Sequence, residues 1–121
     1  MLDDLLTTSP NYNATYGSGG GAHGAGRGGG RVVIKSLGNI LVEATGSILA
    51  DGSSPDEQHY KLGAGSGGSI FITGNECVLN GRLSARGGDS FPGRSHAGAA
   101  GGGGRIAVIV SSQVYFLCSL L

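Results

Sequence analysis

Three histidines, His23, His59 and His96, are the residues whose type and spacing could do chemistry, standing 36 and 37 residues apart. Imidazoles gathered by a repeating fold can bind zinc or another divalent ion. They can also form a seam that charges between roughly pH 5 and 8. The segments carrying them differ in length by a residue or two, and a ligand cluster ordinarily recruits carboxylates as well. A row of loop histidines is therefore the plainer reading, with the trio kept as a metal-site candidate; no resident cofactor is expected.

Glycine runs are the second candidate. Gly24, Gly26 and Gly29 satisfy G-x-G-x-x-G, as do Gly63, Gly65 and Gly68. Dinucleotide binding needs that turn to follow a strand and open a helix whose N-terminal amides hold the pyrophosphate. Here each run opens an apolar strand-like stretch, and a structural turn repeated in each unit is the expectation. Lys35-Ser36 follows Ile34 rather than glycine, so no Walker loop is present. Arginine beside glycine, as in "GRGGGR" and "ARGGD", is found in RNA-binding segments, which work through excess positive charge and aromatic stacking. Eight basic and eight acidic residues cancel here, leaving no field to concentrate nucleic acid or anionic lipid.

Catalytic arrangements are sparse. The acids Glu43, Asp51, Asp56, Glu57, Glu76 and Asp89 are scattered over strands and loops. Asp51 and Arg86 occupy equivalent places in two units and are expected to pair across units as an outward salt bridge. No Gly-x-Ser-x-Gly elbow precedes a helix, and no catalytic residue is assigned. Cys77 and Cys118 could form one disulfide, although a small buried thiol suits the apolar run around Cys77. Asn13-Ala14-Thr15 is a glycosylation sequon, meaningful only in a secreted chain. Five threonines form no ladder of the kind an ice-binding surface needs.

The elements that would position these groups come from an internal repeat. Glycine supplies 26 of 121 residues, roughly three times ordinary usage, while 39% of the chain is apolar, which argues against disorder. Anchored on Gly30, Gly68 and Gly104, three phrases of alternating apolar residues begin 38 and 36 residues apart. "GSILADG" at 46–52 aligns with "GRLSARG" at 81–87. The short Val/Ile-rich runs, bounded by glycine, predict strands rather than helices. Stacking the phrases puts Val32, Ile70 and Ile106 in one column and Ile34, Ile72 and Val108 in a second. Ile48 and Leu83 form a third, and Ala50 and Ala85 a fourth. Arg31, Ser69 and Arg105 should turn to the other side.

The expected fold is all-β, a parallel β-helix (β-solenoid) with glycine-rich coils of about 36 residues, part of a longer solenoid. Residues 1–16 read as a lead-in, 17–113 as the repeats and 114–121 as an off-pattern apolar tail. A bundle of polyproline II helices would instead set glycine at a three-residue period, which is not seen.

No segment has the length to span a bilayer, and "MLDDLLTTSP" lacks the basic flank of a signal peptide. The phrases "YGSGGGAHGAGRGG", "GGRVVIKS", "GSILADG", "GAGSGGSIFI", "GRLSARGG" and "GGGGRIAVI" resemble the glycine-rich repeats of very large secreted or cell-surface proteins. The resemblance covers roughly residues 16–110. It implies an extracellular or surface location and an adhesive or structural role, and it carries over no catalytic residues. The leading expectation is a structural or adhesive segment without enzymatic activity. Its partners would be copies of itself, assembling end to end into fibres, or flanking repeats of a larger chain. The alternative is a carbohydrate-binding or carbohydrate-cleaving β-helix, which would gather Glu43, Asp51, Arg82 and Arg86 in one groove.

Overall fold

The computed structural model describes residues 16–91, 93 and 95–116. Its strands are β1 (Arg31–Lys35), β2 (Ile40–Val42), β3 (Ser47–Leu49), β4 (Ser69–Leu79), β5 (Arg82–Ser84) and β6 (Arg105–Phe116). One 3₁₀ turn, Glu57–His59, lies between β3 and β4. The Val/Ile-rich runs become strands because branched side chains suit a pleated, half-buried surface. Turns that close on themselves end the early strands: Ser36 Oγ accepts from Gly38 N–H at 3.0 Å, and Gly46 N–H donates to Glu43 C=O at 2.8 Å.

Among the described residues all the strand pairings are parallel. β4 is central, with β1 and β2 on one side and β6 on the other. Val32, Ile70 and Ile106 are register partners, as are Ile34, Ile72 and Val108. In a second sheet of two strands, Ile48 pairs with Leu83. The inward faces form one core of Val42, Ala50, Ile70, Ile72, Cys77, Leu79, Leu83 and Ala85, with Val32, Ile34, Ile48, Ile106 and Val108 packed at its margins. Burying each large aliphatic side chain contributes about 2 kcal/mol. Cys77 is a free, buried thiol, whose pKa is pushed up by burial; Cys118 and Asn13 lie outside the described residues.

The first unit splits its apolar residues between β1 and β2, whereas β4 runs through the same span with only a bulge between Gly74 and Glu76. β6 also continues past residue 113, so Val114–Phe116 pair with Cys77–Leu79 instead of starting an off-pattern tail. Ser69 was expected on an open face, yet it is buried. Its register partners Arg31 and Arg105 stand on either side of it.

The expected parallel β-helix is not formed. The strands make two open sheets and do not close into coils. What stands in place of closure is a bundle of extended glycine segments outside any β ladder, hydrogen-bonded at every third residue. Gly26 and Gly29 N–H donate to Gly63 and Ser66 C=O, and Gly65 and Gly68 N–H to Ser53 and Ala50 C=O. Gly101 and Gly104 N–H donate to Gly88 and Ala85 C=O. A three-residue period belongs to the polyproline II helix, not to a strand. It is present in the sequence after all, inside each run: Gly17/Gly20, Gly26/Gly29, Gly65/Gly68 and Gly98/Gly101/Gly104. Additional glycines such as Gly28 and Gly67 hide it. The segments approach so closely that a Cβ at Gly26 would overlap the Ser53 carbonyl, and one at Gly68 the Gly30 carbonyl.

Candidate functional site

Two polar clusters flank this scaffold. The first is built where β5 meets the segment after β3. Asp51 follows Ala50 in that segment, and its carboxylate accepts from Ser84 Oγ at 2.5 Å and from Arg86 N–H at 2.7 Å. Partial burial pushes the Asp51 carboxyl up. The Ser84 and Arg86 hydrogen bonds, with attraction from the Arg82 and Arg86 guanidinium groups, outweigh it and hold the carboxyl below its ordinary value. The cross-unit salt bridge expected between Asp51 and Arg86 is thus a backbone hydrogen bond, with the guanidinium acting only at longer range.

A hollow of about 160 Å³ opens here between Asp51, Ser54, Arg86 and Asp89. Ser54 Oγ accepts from Asp89 N–H at 3.0 Å, which ties the two loops together. Ser84 is fully buried and its hydroxyl donates a hydrogen bond directly to a carboxylate, with no imidazole between them. Its oxygen is therefore not presented as a nucleophile. The geometry brings together Asp51, Arg82 and Arg86; no described contact joins the Glu43 carboxylate to them.

The second cluster holds His23 and His59, whose ring centroids lie 6.1 Å apart in an edge-to-face arrangement. The His59 ring packs on the backbone of Gly24, where a Cβ would collide with it. His59 Nδ1 is 3.8 Å from Asp56 Oδ2 and has no hydrogen-bond partner. A hollow of about 350 Å³ adjoins them, lined in part by His23, Arg27, Ser53 and Asp56. His96 adopts a positive φ of 61° in an exposed loop. Among the described residues no group of three or more His, Cys, Asp or Glu stands close enough to hold a metal ion. The 36-residue spacing brings two of the three imidazoles together and does not make a ligand set.

The glycine runs are committed to the scaffold. Their amides at Gly26, Gly29, Gly65 and Gly68 donate to neighbouring carbonyls, and the runs lead into β1 and β4 rather than into a helix. No amide of these four is left to cradle a phosphate. Among the described residues no helix is long and apolar enough to cross a membrane.

The sequence reading passed over a polar ladder that keeps the repeat length. Ser111 Oγ donates to Asn75 Oδ1 at 2.9 Å, and Asn75 Nδ2 donates to Asn39 Oδ1 at 3.3 Å. The spacing of 36 residues at each step was visible beside the histidines. Ser18 and Ser66 make a similar cross-segment contact, with Ser18 N–H donating to Ser66 Oγ at 2.8 Å. No family model, no curated protein and no solved structure matches this chain.

Proposed function

We propose that this chain is a structural or adhesive segment of the cell surface or extracellular space. Its role is to extend a stack of similar units along one axis, and it catalyses no reaction. The observation that carries the reading is the pair of outer strands: among the described residues β1 and β6 each pair with β4 alone. Open strand edges are templates for further pairing, and proteins that do not use them usually cover or charge them. The polar side chains support the same role, because Asp51, Ser84, Asn39, Asn75 and Ser111 bind one unit to the next. Resemblance of the glycine phrases to repeats of large surface proteins adds the location.

A carbohydrate-binding role has one observation in its favour, the small hollow bounded by Asp51, Ser54, Arg86 and Asp89. It is weakened by the hydrogen bonds that already engage Asp51. Binding of the purified chain to immobilised neutral and acidic polysaccharides tests the choice. The structural reading predicts no retention that depends on Arg82 or Arg86. Retention abolished by Arg82→Ala and Arg86→Ala, with the fold intact, would overturn it in favour of carbohydrate recognition.

A further inference from the structure

The stacking role leaves its partner unnamed, and the hydrogen-bond pattern supplies one; this inference rests on that reading. Within the glycine bundle two layer-to-layer contacts follow one rule. Gly26 and Gly29 N–H donate to Gly63 and Ser66 C=O at 3.0 and 2.8 Å. One unit on, Ala64 and Gly67 N–H donate to Ala99 and Gly102 C=O at 2.9 and 2.8 Å. The equivalent donors in the third unit are Ala100 and Gly103, and the equivalent acceptors in the first are Ala25 and Gly28. None of these four groups has a backbone partner among the described residues. One end of the bundle therefore finishes in N–H groups and the other in C=O groups, at the same three-residue spacing.

The sheet and the side-chain ladder are open at the same two ends, the ladder with its donor and acceptor ends exchanged. β4 receives β1 along Ser69–Thr73 and β2 along Cys77–Leu79. β6, in register with β4, offers the equivalent backbone at 105–109 and 114–116. In the ladder, Asn39 Nδ2 is left as a donor at the first unit and the Ser111 hydroxyl oxygen as an acceptor at the third.

We propose that the partner is a second copy of this chain, docked head to tail with its first unit on the third unit of the copy before it. Ile106 and Val108 then lie beside Val32 and Ile34 of the added copy. Ala100 and Gly103 donate to its Ala25 and Gly28 carbonyls, and its Asn39 amide donates to Ser111. The operation is a translation along the stack, so the contact is heterologous and does not close; it yields a filament. One feature opposes it: Arg105 falls beside Arg31 of the added copy. Like charges directly opposite repel, but both arginines are exposed, so salt screens the repulsion and association tightens as ionic strength rises.

Gly30 provides the test. A Cβ there meets nothing within 4 Å, whereas one at the equivalent Gly68 or Gly104 would overlap the carbonyl of the unit before it. Gly30→Ala is therefore silent inside one copy, and in the added copy it collides with the Gly104 carbonyl of the copy before it. Sedimentation velocity of the full chain over a range of concentration and salt should show oligomers that grow with both. Gly30→Ala should stay monomeric to at least about tenfold higher concentration, an affinity loss of about 1.4 kcal/mol or more, with an unchanged far-UV spectrum and thermal midpoint. Wild-type chain that remains monomeric throughout overturns the inference, as does Gly30→Ala that associates like wild type. Either result leaves the structural reading standing, since that reading falls only on the polysaccharide experiment.

Discussion

Alanine at the glycine that anchors each unit should give different results in different units, although the three positions are equivalent in the repeat. In Gly68→Ala the new Cβ would overlap the Gly30 carbonyl oxygen and lie 2.7 Å from both the carbonyl carbon and oxygen of Gly29, where ordinary contact begins at 3.4 Å. The two segments must part by about 0.7 Å or more to relieve this overlap. The Ser69 N–H to Gly30 C=O bond is already 3.0 Å long, and that displacement takes it out of hydrogen-bond range. Losing one or two such bonds costs about 1 kcal/mol each, and residual overpacking adds about 1–3 kcal/mol. The lower entropy of the unfolded alanine chain returns about 0.4–1 kcal/mol. The net loss is about 1–5 kcal/mol, a large part of the roughly 5–15 kcal/mol that holds a domain together. Gly30→Ala keeps the entropic gain without the collision and should be neutral or slightly stabilising. Urea unfolding of dilute protein followed by circular dichroism reads both variants. With a slope near 1 kcal/mol per molar urea, the Gly68→Ala midpoint falls by about 1 M or more, while that of Gly30→Ala does not fall. Equal shifts in the two variants, or a Gly68→Ala loss below about 1 kcal/mol, would refute close packing of the glycine layers.

Three further outcomes follow from the same contacts. Thr73 is fully buried with Oγ1 unpartnered, so Thr73→Val removes an unsatisfied hydroxyl and should raise stability by about 1 kcal/mol, read as a higher urea midpoint. The Asp51 carboxyl is held below its ordinary value, so its contribution is present at neutral pH and lost as pH falls through the lowered folded-state pKa. Asp51→Asn should lower the thermal midpoint at pH 7 and flatten its decline below about pH 4; an unchanged acid slope would show that the carboxylate is not engaged. Asn75→Ala breaks both rungs of the exposed ladder and should cost about 1–2 kcal/mol in a thermal melt.

Strands and their register were legible because a Val/Ile run alternating after glycine specifies both an element and the face it buries. Val32, Ile70 and Ile106 could be aligned by inspection, and the structure pairs them. Closure was not legible. Glycine before a strand reads as turn punctuation, and a repeat so punctuated is expected to close on itself. The glycines at 26, 29, 65 and 68 instead line extended segments whose mutual approach excludes a Cβ. Their three-residue period is visible only within a run, because intervening glycines fill the positions between. The polar contacts were partly readable. The alignment of Asp51 with Arg86 was correct as an equivalence, but a sequence does not reveal that the Arg86 backbone, rather than its guanidinium, reaches the carboxylate. Ser84 gave no signal, being one serine among many until β5 set it beside Asp51, on the face opposite Leu83 and Ala85. The histidine spacing drew attention from the Asn39–Asn75–Ser111 ladder of the same period, where short polar side chains meet across layers.

Every inference above depends on like phrases lying side by side in parallel register. Methyl–methyl NOEs in isotope-labelled protein report that arrangement most directly. The account predicts cross-peaks linking Ile70 to both Val32 and Ile106, and Ile72 to both Ile34 and Val108. Cross-peaks joining Val32 to Ile72 and Ile34 to Ile70 in place of the Val32–Ile70 and Ile34–Ile72 ones, the signature of an antiparallel or shifted pairing, would contradict it.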